Sequence, residues 1–374
     1  MKFITFVLSV FWFQTLLLAQ ASKPEFYFNI QLAKLMKHSD KFKFEPSGNS
    51  FFYSAAYQIQ TSGAKPWHRH FNFPAYGIEA KYVDLGSPEQ VLGQAVGLNP
   101  FLDFKVGRKP RSEISLGFGF GIAYVFKPYE IKTNPLQVNI GSKLNNLVSL
   151  RFQYELDIYK KQRLQLGVGI LHLSNGSFKS PNLGLNYYLA SVGYKLVSND
   201  ELKQLSDYTR EASSWSFSLG TGIGWKEVKV VGGPKFPIYN LSGDVAYHFN
   251  DFQSIHGGVD LEYHKAFTYF AVHTELVSEI ADAAVAGVRV QSFASYECIF
   301  GHLLFEARAG YNIIKTKFYY GEPFYTKFLF TYKLPFTISD RLHVHTGIYL
   351  KNHYFTADHF AVYLGIRWHK ITRL

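Results

Sequence analysis

Between Ile114 and Tyr124 every even position is large and apolar (Ile114, Leu116, Phe118, Phe120, Ile122, Tyr124) and every odd one is small. Successive side chains of a strand point to opposite faces, so this period of two predicts a strand with one greasy face and one small-residue face. The next segment is sharper. Val148, Leu150, Phe152, Tyr154, Leu156 and Ile158 fall on one side, and Ser149, Arg151, Gln153, Glu155 and Asp157 on the other. One face is suited to hydrocarbon and the other to water. The same two-sidedness recurs over residues 76–82, 215–225, 303–311, 324–334, 342–350 and 360–368.

Two packed sheets would also alternate, but their outer faces would be polar. Here the apolar faces are rich in Phe and Tyr, the opposite faces carry Arg, Glu, Asp and Gly, and many segments run for ten residues or so. That pattern matches a membrane barrel with a lipid-facing wall and a polar lumen. Candidate strands begin near Phe26, Phe51, Tyr76, Leu92, Ile114, Leu147, Leu164, Leu185, Trp215, Ile238, Ile255, Val288, Leu303, Phe324, Leu342 and Phe360. The expected fold is therefore all-β: a transmembrane, antiparallel, up-and-down β-barrel of about sixteen strands, with twelve or fourteen also open. Residues 266–281 read as a helical insertion in a connection. Aromatic residues make up 18 % of the 374-residue chain, too many for disorder. The one cysteine, Cys298, excludes an intrachain disulfide and a cysteine metal cluster.

Lys2, the apolar run from Phe3 to Leu18, and Ala19-Gln20-Ala21 have the layout of an export signal. Residues 1–21 are thus expected to be a signal peptide and residues 22–374 a single barrel domain. Elsewhere no uninterrupted apolar run reaches the roughly 18 residues of a spanning helix, so membrane association must come from strands. The formal net charge of +11 favours anionic partners, lipid phosphates among them.

Tight connections at Lys160-Lys161-Gln162, Asn250-Asp251 and Ser339-Asp340 resemble periplasmic turns, so the strand from Leu164 should run outward. Along it Leu164, Leu166, Val168 and Ile170 share a parity that His172 and Ser174 continue. An imidazole and a hydroxyl two residues apart therefore face lipid near the membrane's outer edge. Histidine is the usual base that removes a serine proton. On the return strand Asn186 has the parity of Tyr188, Val192 and Tyr194 and could orient the ring. The connection Asn175-Gly176-Ser177-Phe178-Lys179-Ser180-Pro181-Asn182 offers N–H groups and two side-chain amides for an oxyanion. Taken alone, these residues more often serve as interfacial polar groups that finish a wall.

The run His172-Leu173-Ser174-Asn175 followed by Pro181-Asn182-Leu183-Gly184 resembles the signature of the PagL-type lipid A 3-O-deacylases, and the wider chain is similar to acyloxyacyl-hydrolase-like members of that group. The likeness is closest from Tyr76 to Leu196. It implies an outer-membrane barrel that hydrolyses an ester-linked acyl chain of lipopolysaccharide lipid A without metal or cofactor. His172 and Ser174 would be the catalytic pair, and Asn175, Gly176 and Asn182 the oxyanion and substrate residues. Where the best-known members have a glutamate, this chain has Asn186. A second departure is size, since compact members have eight strands.

The expected partner is thus lipid A in the outer leaflet of a bacterial outer membrane, with no nucleic acid. The rival reading is a non-catalytic channel that has lost the triad. Glu79, Lys81, Arg151, Glu155, Asp157, Glu306 and Arg308 are expected in the lumen as an ion-pair lattice. Trp67, Trp215, Trp225 and Trp368 are expected as headgroup-level anchors. His68, His70, His343 and His345 are read as aqueous-face or interfacial residues rather than metal ligands.

Overall fold

The computed structural model describes residues 24–86, 88–197, 213–227, 231–273, 280–314, 322–339, 341–354 and 356–370. The expected signal peptide lies outside the described residues. The chain forms two compact units, one comprising residues up to Ser174 and from Leu183 to Asp207, the other Asn175–Asn182 together with Tyr208–Leu374.

The first barrel consists of β1 (Pro24–Met36), β2 (Ser50–Gln60), β3 (Ala75–Asp84), β4 (Gln94–Lys109), β5 (Ser112–Val125), β6 (Leu144–Tyr159), β7 (Gln162–Ser174) and β8 (Leu185–Leu196). Two short helices, α1 (Pro66–His70) and α2 (Glu89–Leu92), lie in its connections. Each strand pairs antiparallel with the next, and β8 returns to β1 in register from Phe26↔Leu196 to Met36↔Asn186. The second barrel runs through β9 (Ser214–Glu227), β10 (Lys235–Asn250), β11 (Gln253–His264), β12 (Val288–Phe300), β13 (Leu303–Ile314), β14 (Phe324–Ser339), β15 (Leu342–His353) and β16 (Thr356–Lys370). It closes by pairing β16 with β9. Helices α3 (Lys265–His273) and α4 (Ile280–Ala286) occupy the β11–β12 connection, where the sequence suggested a helical insertion.

All sixteen anticipated strands are present, but the expected single large barrel is incorrect: they close as two rings of eight. Alternation and turn length are local signals. They fix a strand's two faces and its hairpin neighbour, whereas the β8–β1 closure joins residues far apart in sequence. An eight-stranded interior is just wide enough for side chains to fill, and both lumens are filled.

In the first barrel Arg151 donates to Glu79 at 2.9 Å, Asp103 at 3.1 Å and the Tyr27 hydroxyl at 2.6 Å. Lys195 lies 3.1 Å from both Glu25 and Glu155. The small inward residues of β5 make room for this lattice: a methyl on Gly117 would lie 2.0 Å from Asp103 Oδ1 and 3.1 Å from Arg151 Nε. In the second barrel Arg308 pairs with Glu306 at 2.7 Å, Lys327 with Asp260 at 2.6 Å, and Arg367 with Glu297 through two bonds of 2.7 and 2.8 Å. The lumenal residues expected from parity all lie on inward-facing positions, with Asp157 at the rim bonded to Arg163 at 2.6 Å.

One part of the first lumen departs from the polar expectation. Phe52, Val83, Leu85, Ala95, Val125, Leu147, Leu171, Leu173, Leu185 and Tyr187 form an apolar plug with Phe42 and Phe44 of the β1–β2 connection. The plug lies at the end of the barrel that carries the connections 37–49, 85–93, 126–143 and 175–184. At the other end β4–β5 and β6–β7 are joined by two-residue turns, 110–111 and 160–161, and β2–β3 by the longer 61–74, which carries α1. Short turns mark the periplasmic side, so the plugged end faces outward. Trp215, Trp225 and Trp368 protrude from strand ends of the second barrel as anticipated, but Trp67 is buried in α1 and is not an anchor.

Candidate active site

Strand β7 ends at the plugged rim, and its last four residues split between two environments. Leu171 and Leu173 point inward and are fully buried in the plug. His172 and Ser174 take the opposite parity, continuing the exposed row Leu166, Val168 and Ile170. Each fully buried leucine contributes roughly 1.5–3 kcal/mol, so the inward residues hold in place the strand end that presents the outward ones.

His172 Nε2 lies 2.9 Å from Ser174 Oγ, and His172 Nδ1 lies 2.6 Å from Asn186 Oδ1. Strand register produces the second contact, because Asn186 of β8 stands directly opposite His172. An asparagine oxygen only accepts, so Nδ1 carries the ring proton and Nε2 offers its lone pair to the Ser174 hydroxyl. That is the tautomer a serine-activating base requires. Ser174 is buried and His172 half-buried.

Gly184 is shaped by the same ring. Its φ of +79° favours glycine, and a Cβ there would lie 2.9 Å from His172 Cε1. Asn139, fully buried in the β5–β6 connection, brackets this glycine: its Nδ2 donates to the Gly184 carbonyl at 2.9 Å, and its own carbonyl accepts the Gly184 N–H at 2.9 Å. Asn139 thus holds Gly184 by one side-chain and one backbone bond, both to the glycine's backbone.

Within the 175–182 segment, the Asn175 N–H donates to Asn182 Oδ1 at 2.9 Å, and Asn175 Nδ2 donates to the Lys179 carbonyl at 2.8 Å. Gly176 and Ser177 both have positive φ, 61° and 64°. The expected oxyanion residues therefore bond to one another. With Oδ1 engaged, the remaining capacity of Asn182 is its Nδ2 donor pair.

Sequence reasoning missed one neighbour, His38, whose Nδ1 lies 3.1 Å from Asn186 Nδ2. Nothing local marks it, since its contact spans the β1–β8 closure. Among the described residues no group of three or more His, Cys, Asp or Glu side chains is arranged to hold a metal ion. His68 is buried in α1, where burial and the nearby Lys65 push its pKa down to about 4.

The second barrel contains a superficially similar set. Ser254 Oγ lies 3.0 Å from His256 Nε2, and His256 Nδ1 lies 2.9 Å from Asp244. All three are buried in the lumen, where Ser254 also donates to Glu297 at 3.2 Å. The cavity beside Asp244 holds about 10 Å³, room for about one water and none for an acyl ester. This set belongs to the lumenal lattice.

The sequence pattern of the lipid A 3-O-deacylase (PagL) family matches residues 52–195, and that of the acyloxyacyl hydrolase C-terminal domain matches residues 213–370. The first match spans β2 to β8 and the second spans β9 to β16. No curated protein matches the chain. Among solved structures, the outer membrane enzyme PagL is 16 % identical, with 46 % of this chain and 99 % of that chain covered at a TM-score of 0.32. The toluene transporter TodX of Pseudomonas putida is 8 % identical, with 95 % and 91 % covered at 0.17. OccAB3 of Acinetobacter baumannii is 10 % identical, with 93 % and 99 % covered at 0.23. At such scores the overlaps carry no weight.

Proposed function

Because the chain belongs to the PagL lipid A 3-O-deacylase and acyloxyacyl hydrolase family of outer-membrane barrels, we propose that it is a serine esterase that removes an ester-linked acyl chain from lipid A in the outer leaflet. The observation that carries this reading is the 2.9 Å contact between Ser174 Oγ and His172 Nε2, on the lipid-facing parity at the outer end of β7. An enzyme for soluble esters would have no reason to turn this pair away from the lumen.

In the proposed reaction His172 Nε2 takes the Ser174 proton as Oγ attacks the ester carbonyl carbon. The resulting oxyanion would be held by Asn182 Nδ2 and the Gly176 N–H. Collapse breaks the bond to the sugar oxygen, which takes the proton from His172 and leaves an acyl-serine. A water gives its proton to His172 and attacks the acyl carbonyl. The fatty acid departs, and His172 returns the proton to Ser174. Lys179, in the same connection, would meet a lipid phosphate. Asn186 orients the ring but cannot offset the imidazolium charge as a carboxylate does, so turnover should be slow.

The channel reading finds no support in the lumens, which ion pairs and the apolar plug occupy. Mass spectrometry of lipid A from cells that express the protein tests the reading. The wild type should yield lipid A lighter by one acyl chain, and Ser174→Ala should leave it intact. Unchanged lipid A with the wild type, or an equal loss with Ser174→Ala, would overturn it.

A further inference from the structure

We infer that His38 is a positioning residue that sets the tautomer of His172 through Asn186, an inference that rests on the esterase reading for its kinetic consequence but not for its structural one. The β1–β8 closure places Met36 opposite Asn186, so His38, two residues beyond, stands over that amide. Its ring packs edge-on against Phe42, with centroids 5.2 Å apart, and Phe42 is buried in the plug.

The hydrogen bonds form one directed chain. His38 Nε2 lies 3.1 Å from the Leu183 carbonyl and Nδ1 3.2 Å from the Met36 carbonyl; a neutral ring donates to only one of them, and the Asn186 amide N–H facing Nδ1 leaves the ring proton on Nε2. Nδ1 is then an acceptor, 3.1 Å from Asn186 Nδ2. Donation to His38 fixes which end of the Asn186 amide faces which ring. Oδ1 must face His172 and accept from Nδ1 at 2.6 Å, which leaves Nε2 unprotonated toward Ser174 at 2.9 Å.

The two ends of an amide are almost equal in size, so without His38 the group can turn over. Its N–H would then face His172 Nδ1, the ring proton would move to Nε2, and Nε2 could not take a proton from Ser174. A carboxylate has two accepting oxygens and presents one to His172 in either orientation. The need for His38 therefore follows from having Asn at position 186.

A double-mutant cycle reads this coupling. On the native background His38→Ala should lower kcat about tenfold with KM unchanged, and His38→Gln, which keeps an acceptor, should recover part of the loss. With Asn186→Asp in place, the cost of His38→Ala should shrink to about twofold or less. Equal cost on both backgrounds, or none on the native one, overturns the inference. Nitrogen-15 NMR of histidine-labelled protein in detergent reads the tautomer whether or not the protein turns over. The wild type should carry the His172 proton on Nδ1, and His38→Ala should shift population to Nε2. An unchanged tautomer in His38→Ala contradicts the proposal even if deacylation is established. A shifted tautomer in a protein that releases no fatty acid supports the His38 role and rejects the esterase reading.

Discussion

His172, Ser174 and Asn186 meet because two residue-level rules coincide: alternation puts His172 and Ser174 on one face, and antiparallel register puts Asn186 opposite His172. Both rules operate within one hairpin, so this part of the site was legible in the sequence. His38 and Asn139 were not, because their contacts depend on ring closure and on the fold of a long connection. Two substitutions separate geometry from charge. Asn186→Asp keeps the side-chain length and adds the missing negative charge, and kcat should rise about tenfold; no gain would mean that the imidazolium charge does not limit turnover. Gly184→Ala should lower activity, since both the positive φ and the 2.9 Å approach to His172 Cε1 forbid a methyl without displacing the ring. Steady-state hydrolysis of a defined lipid ester reads both.

Strand β7 joins a core-anchoring row and a site-presenting row on one backbone. Leu173→Ala should cost about 2–5 kcal/mol of stability, measured by urea titration of the protein folded in detergent micelles. Activity at low denaturant should also fall, because the cavity loosens the strand end that carries His172 and Ser174. Leu166→Ala, on the exposed face of the same strand, should cost far less. Leu173 lies on the parity of Gln165, Gly167 and Gly169, opposite to the apolar row of the strand. Parity assigned it to the lumen, but a lumen expected to be polar gave no reason to foresee a dry plug. Trp67 shows the same limit from the other side. A tryptophan near a segment end read as an interfacial anchor, whereas the α1 turn folds it inward.

At the scale of the whole molecule the strand count was legible and the closure was not. Sixteen alternating segments are compatible with one wide ring or two narrow ones, and the choice appears only in the β8–β1 and β16–β9 pairings. Two narrow rings also account for the size discrepancy, since the first barrel alone has the eight strands of a compact deacylase. Closure changes the functional expectation, because an eight-stranded lumen is just wide enough for side chains to fill, and among the described residues Arg151, Lys195 and their carboxylate partners occupy it. Purified protein in planar bilayers should therefore show no steady conductance above that of bare lipid, and stable open channels would revive the transport reading. The central claim, that an outward-facing serine is activated by His172, is tested most directly with a lipophilic fluorophosphonate, which labels only activated serines. Peptide mapping by mass spectrometry should find the adduct on Ser174 in the wild type and none there in His172→Ala. Label absent from Ser174, or unaffected by loss of His172, would contradict it.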